Sequence, residues 1–75
     1  MPLYQLINST NPDVKEYEGK LCTVTGLADD SLKIVIVNTE SKILTTPVVE
    51  KDSIGDLVIA KTKNSTYMFK RVGYF

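Results

Sequence analysis

Hydrophobic residues after Lys20 recur at alternate positions in short runs, and polar clusters separate the runs at spacings of roughly ten residues. Alternation with period two, combined with many β-branched residues, is typical of strands that bury one face. The polar clusters contain Asn, Asp, Ser and Gly, which favour tight turns. The pattern predicts an antiparallel meander of five strands, at residues 20–27, 32–37, 42–49, 57–62 and 66–72.

Three details place individual strands. Residues 32–37 are apolar on both faces, which is typical of a central strand. Pro47 has no N–H to donate, so its strand is expected at an edge or with a bulge there. Asn64 tolerates the left-handed conformation of a tight turn, so residues 63–65 are predicted to close the clearest hairpin of the chain.

The first twenty residues carry weaker signals. Residues 2–7 are compatible with a short strand. Residues 50–56, far from this region, are expected to form a loop. Asn11 is a candidate N-cap for a brief helix over residues 12–17, because Pro12 suits the first helical position and Gly19 follows the end.

An open sheet of five strands exposes its edges, and curling into a barrel removes most of that exposure. We therefore predict one mainly all-β domain over residues 1–75, an SH3-like or OB-like barrel with a short N-terminal helical turn. A curved open sheet with the turn packed on one face is the alternative. The predicted core consists of Leu21 or Cys22, Val24, Leu27, Ile34, Ile36, Leu44, Val48, Val58, and Tyr67 or Phe69.

The chain contains few of the residue types that commonly carry out catalysis. The chain has no histidine, which removes the usual general base and the usual nitrogen ligand of zinc. Its one cysteine, Cys22, lies among apolar residues and is expected to be a buried, unreactive thiol. The glycines are scattered singly, so no phosphate-binding loop is expected. We predict that the protein is not an enzyme and needs no cofactor.

Acidic residues in two polar segments suggest a metal site as an alternative. A meander would place Asp29, Asp30, Glu50, Asp52 and Asp56 at one end, and carboxylate oxygens are ligands for hard cations. Their spacing matches no calcium-binding loop, and Asp in turns commonly bonds to the local backbone. We therefore predict no metal site.

The chain contains neither a basic-then-apolar leader at its start nor a run of about 20 apolar residues. With a single cysteine, this pattern predicts a cytoplasmic protein with no membrane contact.

The formal net charge is zero, which argues against strong, generic nucleic-acid binding. The charge is uneven, however, because residues 57–75 contain four basic residues and no acidic residue. Basic residues are interleaved there with aromatic ones, and both kinds of side chain serve binding surfaces. The predicted binding surface is Lys61, Lys63, Tyr67, Lys70, Arg71, Tyr74 and Phe75.

Two alternatives stay open for the rings. Strand alternation puts Tyr67 and Phe69 on the same face, which favours the core for both. Tyr74 and Phe75 either cover the mouth of the barrel or stay exposed as anchors for a partner.

Two segments of the chain resemble short bacterial and phage reading frames of uncharacterised function. The shared patterns are a T-(S/T)-P-V strand, here residues 45–48, and a T-x-(N/S)-S-x-Y hairpin, here residues 62–67. The resemblance implies a bacterial or phage accessory protein, and small proteins of that kind often bind and block a host protein.

The sequence therefore predicts a non-catalytic binding module, with protein–protein interaction as an inhibitor or accessory factor as the first hypothesis. Self-association through strand edges belongs to the same hypothesis. The alternative is a nucleic-acid-binding barrel that uses the C-terminal hairpin. Four cations on one face beside an exposed ring would favour nucleic acid, and scattered cations interrupted by acids would favour a protein partner.

Overall fold

The structure, a computed structural model, describes residues 1–74 and contains a single antiparallel sheet of seven strands. The prediction of a mainly β fold is confirmed, with 59% of residues in strands and 4% helical. The strands are β1 (Pro2–Ser9), β2 (Leu21–Gly26), β3 (Leu32–Ile36), β4 (Lys42–Leu44), β5 (Val48–Ile54), β6 (Leu57–Thr62) and β7 (Thr66–Tyr74), and a 3₁₀ turn lies at Lys15–Tyr17.

The spatial order of the strands is β4-β3-β2-β1-β7-β6-β5. Two meanders, β1 to β4 and β5 to β7, are joined through the pairing of β1 with β7, which extends from Pro2 opposite Tyr74 to Ser9 opposite Tyr67. The prediction of five strands is therefore wrong. The short N-terminal strand is the centre of the sheet, and the loop expected at residues 50–56 belongs mostly to a strand.

Besides β1, a second additional strand arises because the chain changes partners around Pro47. The Thr45 amide donates to the Leu32 carbonyl at 2.9 Å, which ends the pairing with β3. The Val48 amide then donates to the Asp30 carbonyl at 2.9 Å, and from there the chain pairs with β6. Gly55 has φ +58°, which allows the two-residue turn from β5 into β6.

Closure into an SH3-like or OB-like barrel is not confirmed, because the sheet is not closed. Seven strands about 4.8 Å apart would form a flat sheet about 29 Å wide and only one backbone layer thick. The molecule instead measures 28 × 26 × 23 Å. The sheet is therefore strongly curved around its own core. Its two edge strands, β4 and β5, are consecutive in the chain.

The expected N-terminal helical turn is present, but it is a 3₁₀ turn at Lys15–Tyr17, shorter than the helix expected over residues 12–17. The Asn11 side-chain oxygen accepts the Asp13 amide at 2.9 Å, and the Val14 and Tyr17 amides each bond to the carbonyl three residues earlier. Bonds of that spacing form 3₁₀ turns rather than an α-helix. No helix among residues 1–74 combines the length and the hydrophobicity that crossing a bilayer requires.

The core fills the concave side of the sheet. Its predicted members Cys22, Ile34 and Ile36 are confirmed, and the two aromatic alternatives on β7 are both buried. The prediction that Leu27 and Leu44 belong to the core is wrong, because both side chains are exposed. Because adjacent residues of a strand point to opposite faces, Ile43 packs against the core and Leu44 points outward. The buried cluster is Leu6, Val14, Cys22, Ile34, Ile36, Tyr67 and Phe69, and Tyr4, Tyr17, Val24, Ile43 and Val58 pack against it.

Candidate functional site

The basic residues predicted for the binding surface are spread along the sheet. Lys61 lies on the outer face of β6, opposite Glu50 of β5. Lys70 lies on the outer face of β7, opposite Leu57. Since Leu57 and Lys61 are four residues apart on one strand, about 13 Å of strand separates the two lysines. Lys63 is exposed in the hairpin turn.

Arg71 is held by the turn between β5 and β6. Its guanidinium donates to the Asp56 carboxylate at 2.8 Å, and its backbone amide donates to the Asp56 carbonyl at 2.7 Å. The bond to the carboxylate raises the pKa of Arg71 above its usual value. The same guanidinium donates to the Tyr74 hydroxyl at 2.9 Å. Arg71 therefore links Tyr74 to the end of β5 and already has an acidic partner.

The aromatic residues of the predicted surface separate into two groups. Tyr67 is 2% exposed, and its hydroxyl accepts a hydrogen bond from the Asn11 side chain at 3.2 Å. It belongs to the core and offers no ring to a partner. Tyr74 is 66% exposed and offers one. Phe75, the remaining predicted member, lies outside the described residues.

The structure thus does not bring the four cations onto one face. Arg71 is paired with Asp56, and Lys61 faces Glu50 across the strands. Lys70 lies at the other end of the hairpin. The described cations therefore do not form the single basic face that the nucleic-acid hypothesis requires.

The surface that sequence reasoning missed is β5, the edge strand that follows β6 in the strand order of the described residues. Every residue of β5 after Val48 is exposed, including the apolar side chains of Val49 at 72% and Ile54 at 70%. One signal in the sequence was available. Gly55 followed by Asp56, between two apolar residues, is a pattern typical of a two-residue hairpin turn.

Among residues 1–74, no strand pairs with the edge of β5 that points away from β6. In a two-residue hairpin the flanking pair, here Ile54 and Leu57, is a hydrogen-bonded pair, and such pairs alternate along the ladder. The N–H and C=O groups of Lys51 and Ser53 therefore point away from β6. The hydrogen bond from the Arg71 amide to the Asp56 carbonyl agrees with this alternation. It shows that the backbone groups of Asp56 point towards β7, so those of the next residue, Leu57, point towards β5.

Apolar side chains continue from β5 across the outer face of the sheet. Ile54 is opposite Leu57, and Ile59 is opposite Met68. Ile54 is exposed and the other three are half-buried. We call these four residues the hairpin patch. The patch adjoins the free edge, so a chain lying along β5 would also reach apolar surface.

A cleft of about 340 Å³ separates the start of β5 from the turn between β2 and β3. A smaller cavity of about 100 Å³ lies inside the curved sheet, and Gly26, Leu32 and Lys51 line both spaces. Lys51 is opposite Ala60 and therefore points to the inner face. An inward-pointing charge on an edge strand discourages unspecific strand pairing, because pairing would desolvate it.

The acidic residues do not meet at one end. The start of β5 lies beside Asp30, and the strand then runs about 20 Å to Asp56. Among residues 1–74 no three acidic or thiol side chains come close enough to hold a metal ion. Asp29 instead accepts the Ser31 amide at 3.1 Å, and this bond lowers the pKa of Asp29. Asp29 therefore shapes its own turn.

Cys22 is fully buried in the core, and burial raises the pKa of its thiol to about 11. The thiolate is the reactive form of cysteine, and a raised pKa leaves little of it at neutral pH.

Comparisons of the chain with protein-family models, with curated proteins and with solved structures gave no match.

Proposed function

We propose that the protein is a non-catalytic binding module that adds an extended segment of a protein partner to the free edge of β5. The observation that carries the proposal is an edge strand with exposed side chains and unpaired backbone groups at Lys51 and Ser53. Strand addition supplies affinity through main-chain hydrogen bonds and specificity through alternate side chains. An inhibitor or accessory role of bacterial or phage origin, which the resemblance implies, is part of the proposal.

Main-chain hydrogen bonds alone are too weak to explain micromolar binding, so side chains must also contribute to the affinity. The four backbone groups of Lys51 and Ser53 form hydrogen bonds with a net value of about 0.5–1.5 kcal/mol each, or about 2–6 kcal/mol together. A dissociation constant of 1 μM corresponds to about 8 kcal/mol, and association also loses translational and rotational freedom. We therefore assign the remaining affinity to Ile54, to the rest of the hairpin patch and to Tyr74.

The charges along the edge support a protein partner. Glu50 and Asp52 lie on β5, and Asp56 follows in the turn. A nucleic acid lying along this edge would bring its phosphates next to the Glu50 and Asp52 carboxylates, which have no ion-pair partner among the described residues, and like charges repel. The proposal includes the cytoplasmic location predicted above, which fractionation of native cells would test.

The experiment is affinity capture from native cells with three baits: the wild-type protein, Ser53→Pro and Ser53→Ala. Because the Ser53 amide faces solvent, proline removes an edge donor without taking a bond from the ladder with β6. The wild-type and Ser53→Ala baits should retain the same protein partner, while Ser53→Pro should lose it at a melting temperature within a few degrees of wild type.

A nuclease-treated sample provides the second control. Capture that survives the nuclease and depends on Ser53 supports strand addition. Retention of the partner by a folded Ser53→Pro bait contradicts it, and recovery of nucleic acid that disappears after nuclease treatment favours the alternative function.

A further inference from the structure

Three consecutive charges stand at the centre of the free edge. Glu50 and Asp52 lie on the outer face, where they are opposite Lys61 and Ile59, and Lys51 lies on the inner face. All three are exposed. The ion pairs found among residues 1–74 are Lys15–Glu18 and Arg71–Asp56, so none of the three central charges takes part in one.

We propose, as an extension that rests on the proposed function, that the β5 edge selects a partner segment with the charge order basic–acidic–basic. The basic residues would stand opposite Glu50 and Asp52, and the acidic residue opposite Lys51. Directly opposite charges on neighbouring strands attract, and like charges in the same positions are destabilising. The same rule disfavours a second copy of this chain in the registers centred on Glu50, Lys51 or Asp52.

The rejection of these registers follows from symmetry. Two identical antiparallel strands are related by a two-fold axis normal to the sheet, so the residue on the axis is opposite its own copy. An axis at Lys51 places two lysines opposite each other and places Glu50 opposite Asp52 twice. An axis at Glu50 or at Asp52 places that carboxylate opposite itself. Each antiparallel register centred on the charged stretch therefore opposes like charges.

The selected segment can be written out from the pairing. In antiparallel orientation its residues stand opposite Ile54, Ser53, Asp52, Lys51 and Glu50 in that order. An apolar residue opposite Ile54 would extend the hairpin patch on the outer face. The segment therefore has the order apolar, any residue, basic, acidic, basic, and it carries its two basic residues on the same face as its apolar residue.

The test uses two labelled peptides, one containing Val-Thr-Lys-Asp-Lys and the other the charge-swapped Val-Thr-Glu-Lys-Glu. Binding is measured by fluorescence anisotropy at low salt, and amide shifts in nitrogen-15 spectra locate the bound peptide. The first peptide should bind wild-type protein at least tenfold more tightly than the second. The shifted amides should centre on residues 51–53, and raising the salt should reduce the difference, since exposed charges are screened.

The triple variant Glu50→Lys, Lys51→Glu, Asp52→Lys should reverse this preference. Its matched control is Glu40→Lys, which changes the net charge by the same amount at an exposed turn and should leave the preference unchanged. Equal binding of both peptides at β5 would overturn the charge rule while leaving strand addition intact. Failure of both peptides to bind β5 would overturn both proposals.

Sedimentation at about 100 μM, a concentration that suits weak association, tests the rejection of a second copy in these registers. Wild-type protein should be a monomer. A dimer that Ser53→Pro converts to monomer would place self-association at β5 and overturn this part of the proposal.

Discussion

Strands β3 and β5 belong to the same sheet and are held in it by different means. β3 pairs on both sides and buries Leu32, Ile34 and Ile36 in the core. β5 pairs on one side and exposes every residue after Val48. The comparison shows that the side chains of β3 stabilise the fold, whereas β5 depends on its backbone ladder with β6. The side chains of β5 therefore remain available to a partner.

The largest expected difference between the two strands is in the free energy of unfolding. Ile34→Ala should lower it by about 2–5 kcal/mol, because the substitution leaves a cavity in the core. Ile54→Ala should change it by at most about 0.5 kcal/mol, as exposed substitutions usually do. Urea denaturation measures both values, with Ile34→Val, expected to cost about 0.5–1.5 kcal/mol, as a milder core variant. Equal losses at Ile34 and Ile54 would contradict the comparison.

The core beside β3 should also respond to alkaline pH. The pKa of Cys22 is raised from 9.0 to about 11 in the folded protein, so the unfolded chain ionises first. The stabilisation from Cys22 is therefore fully present below pH 9 and is lost as the pH rises through about 11. Two pKa units correspond to about 2.7 kcal/mol at most.

The control for this titration is Cys22→Ala, which has no thiol. Its free energy of unfolding should fall less steeply than that of the wild type between pH 9 and 11. If the free energies of unfolding of the two proteins depended on pH in the same way, the Cys22 thiol would not be shielded from solvent as described.

An intermediate effect is expected at the turn that holds β5 to β6. Gly55→Ala places a side chain at φ +58°, which costs about 1–3 kcal/mol, although a Cβ there would meet no atom within 4 Å. Gly73→Ala is the matched control, since a Cβ at Gly73 also meets nothing and its φ is not positive. Gly55→Ala should loosen the hairpin, seen as faster hydrogen exchange at Ile59. An unchanged Ile59 amide would contradict this explanation of the turn.

The smallest effect requires no substitution. The amides of Lys51 and Ser53 should exchange with solvent at nearly unprotected rates, and those of Asp52 and Ile54 should exchange more slowly because they bond to β6. The amides of β3 should be the slowest of all. Protection of Lys51 and Ser53 in the unbound protein would show that the edge of β5 is already covered.

The alternating pattern of residues 20–37 was sufficient to predict β2, β3 and the burial of Cys22, Ile34 and Ile36. A strand that buries one face must alternate, and this requirement is local. The hairpin at Asn64 was likewise predicted from its turn residues. The central position of β1 could not be predicted in this way, because its pairing with β7 joins residues more than fifty positions apart in the chain. The hydrogen bond between Asn11 and Tyr67 spans a similar separation.

Only the tertiary structure decided where the candidate site lies. A strand that buries no face needs no alternation of polar and apolar residues, so the sequence of β5 resembles that of a loop. Its hydrogen bonds with β6 come from backbone groups, which every residue except proline can supply in full, so they leave no mark on the sequence. Composition placed the cations in one stretch of the chain. Strand direction and pairing then dispersed them: Arg71 forms an ion pair with Asp56, and Lys61 stands opposite Glu50. The face and neighbours of a side chain depend on register.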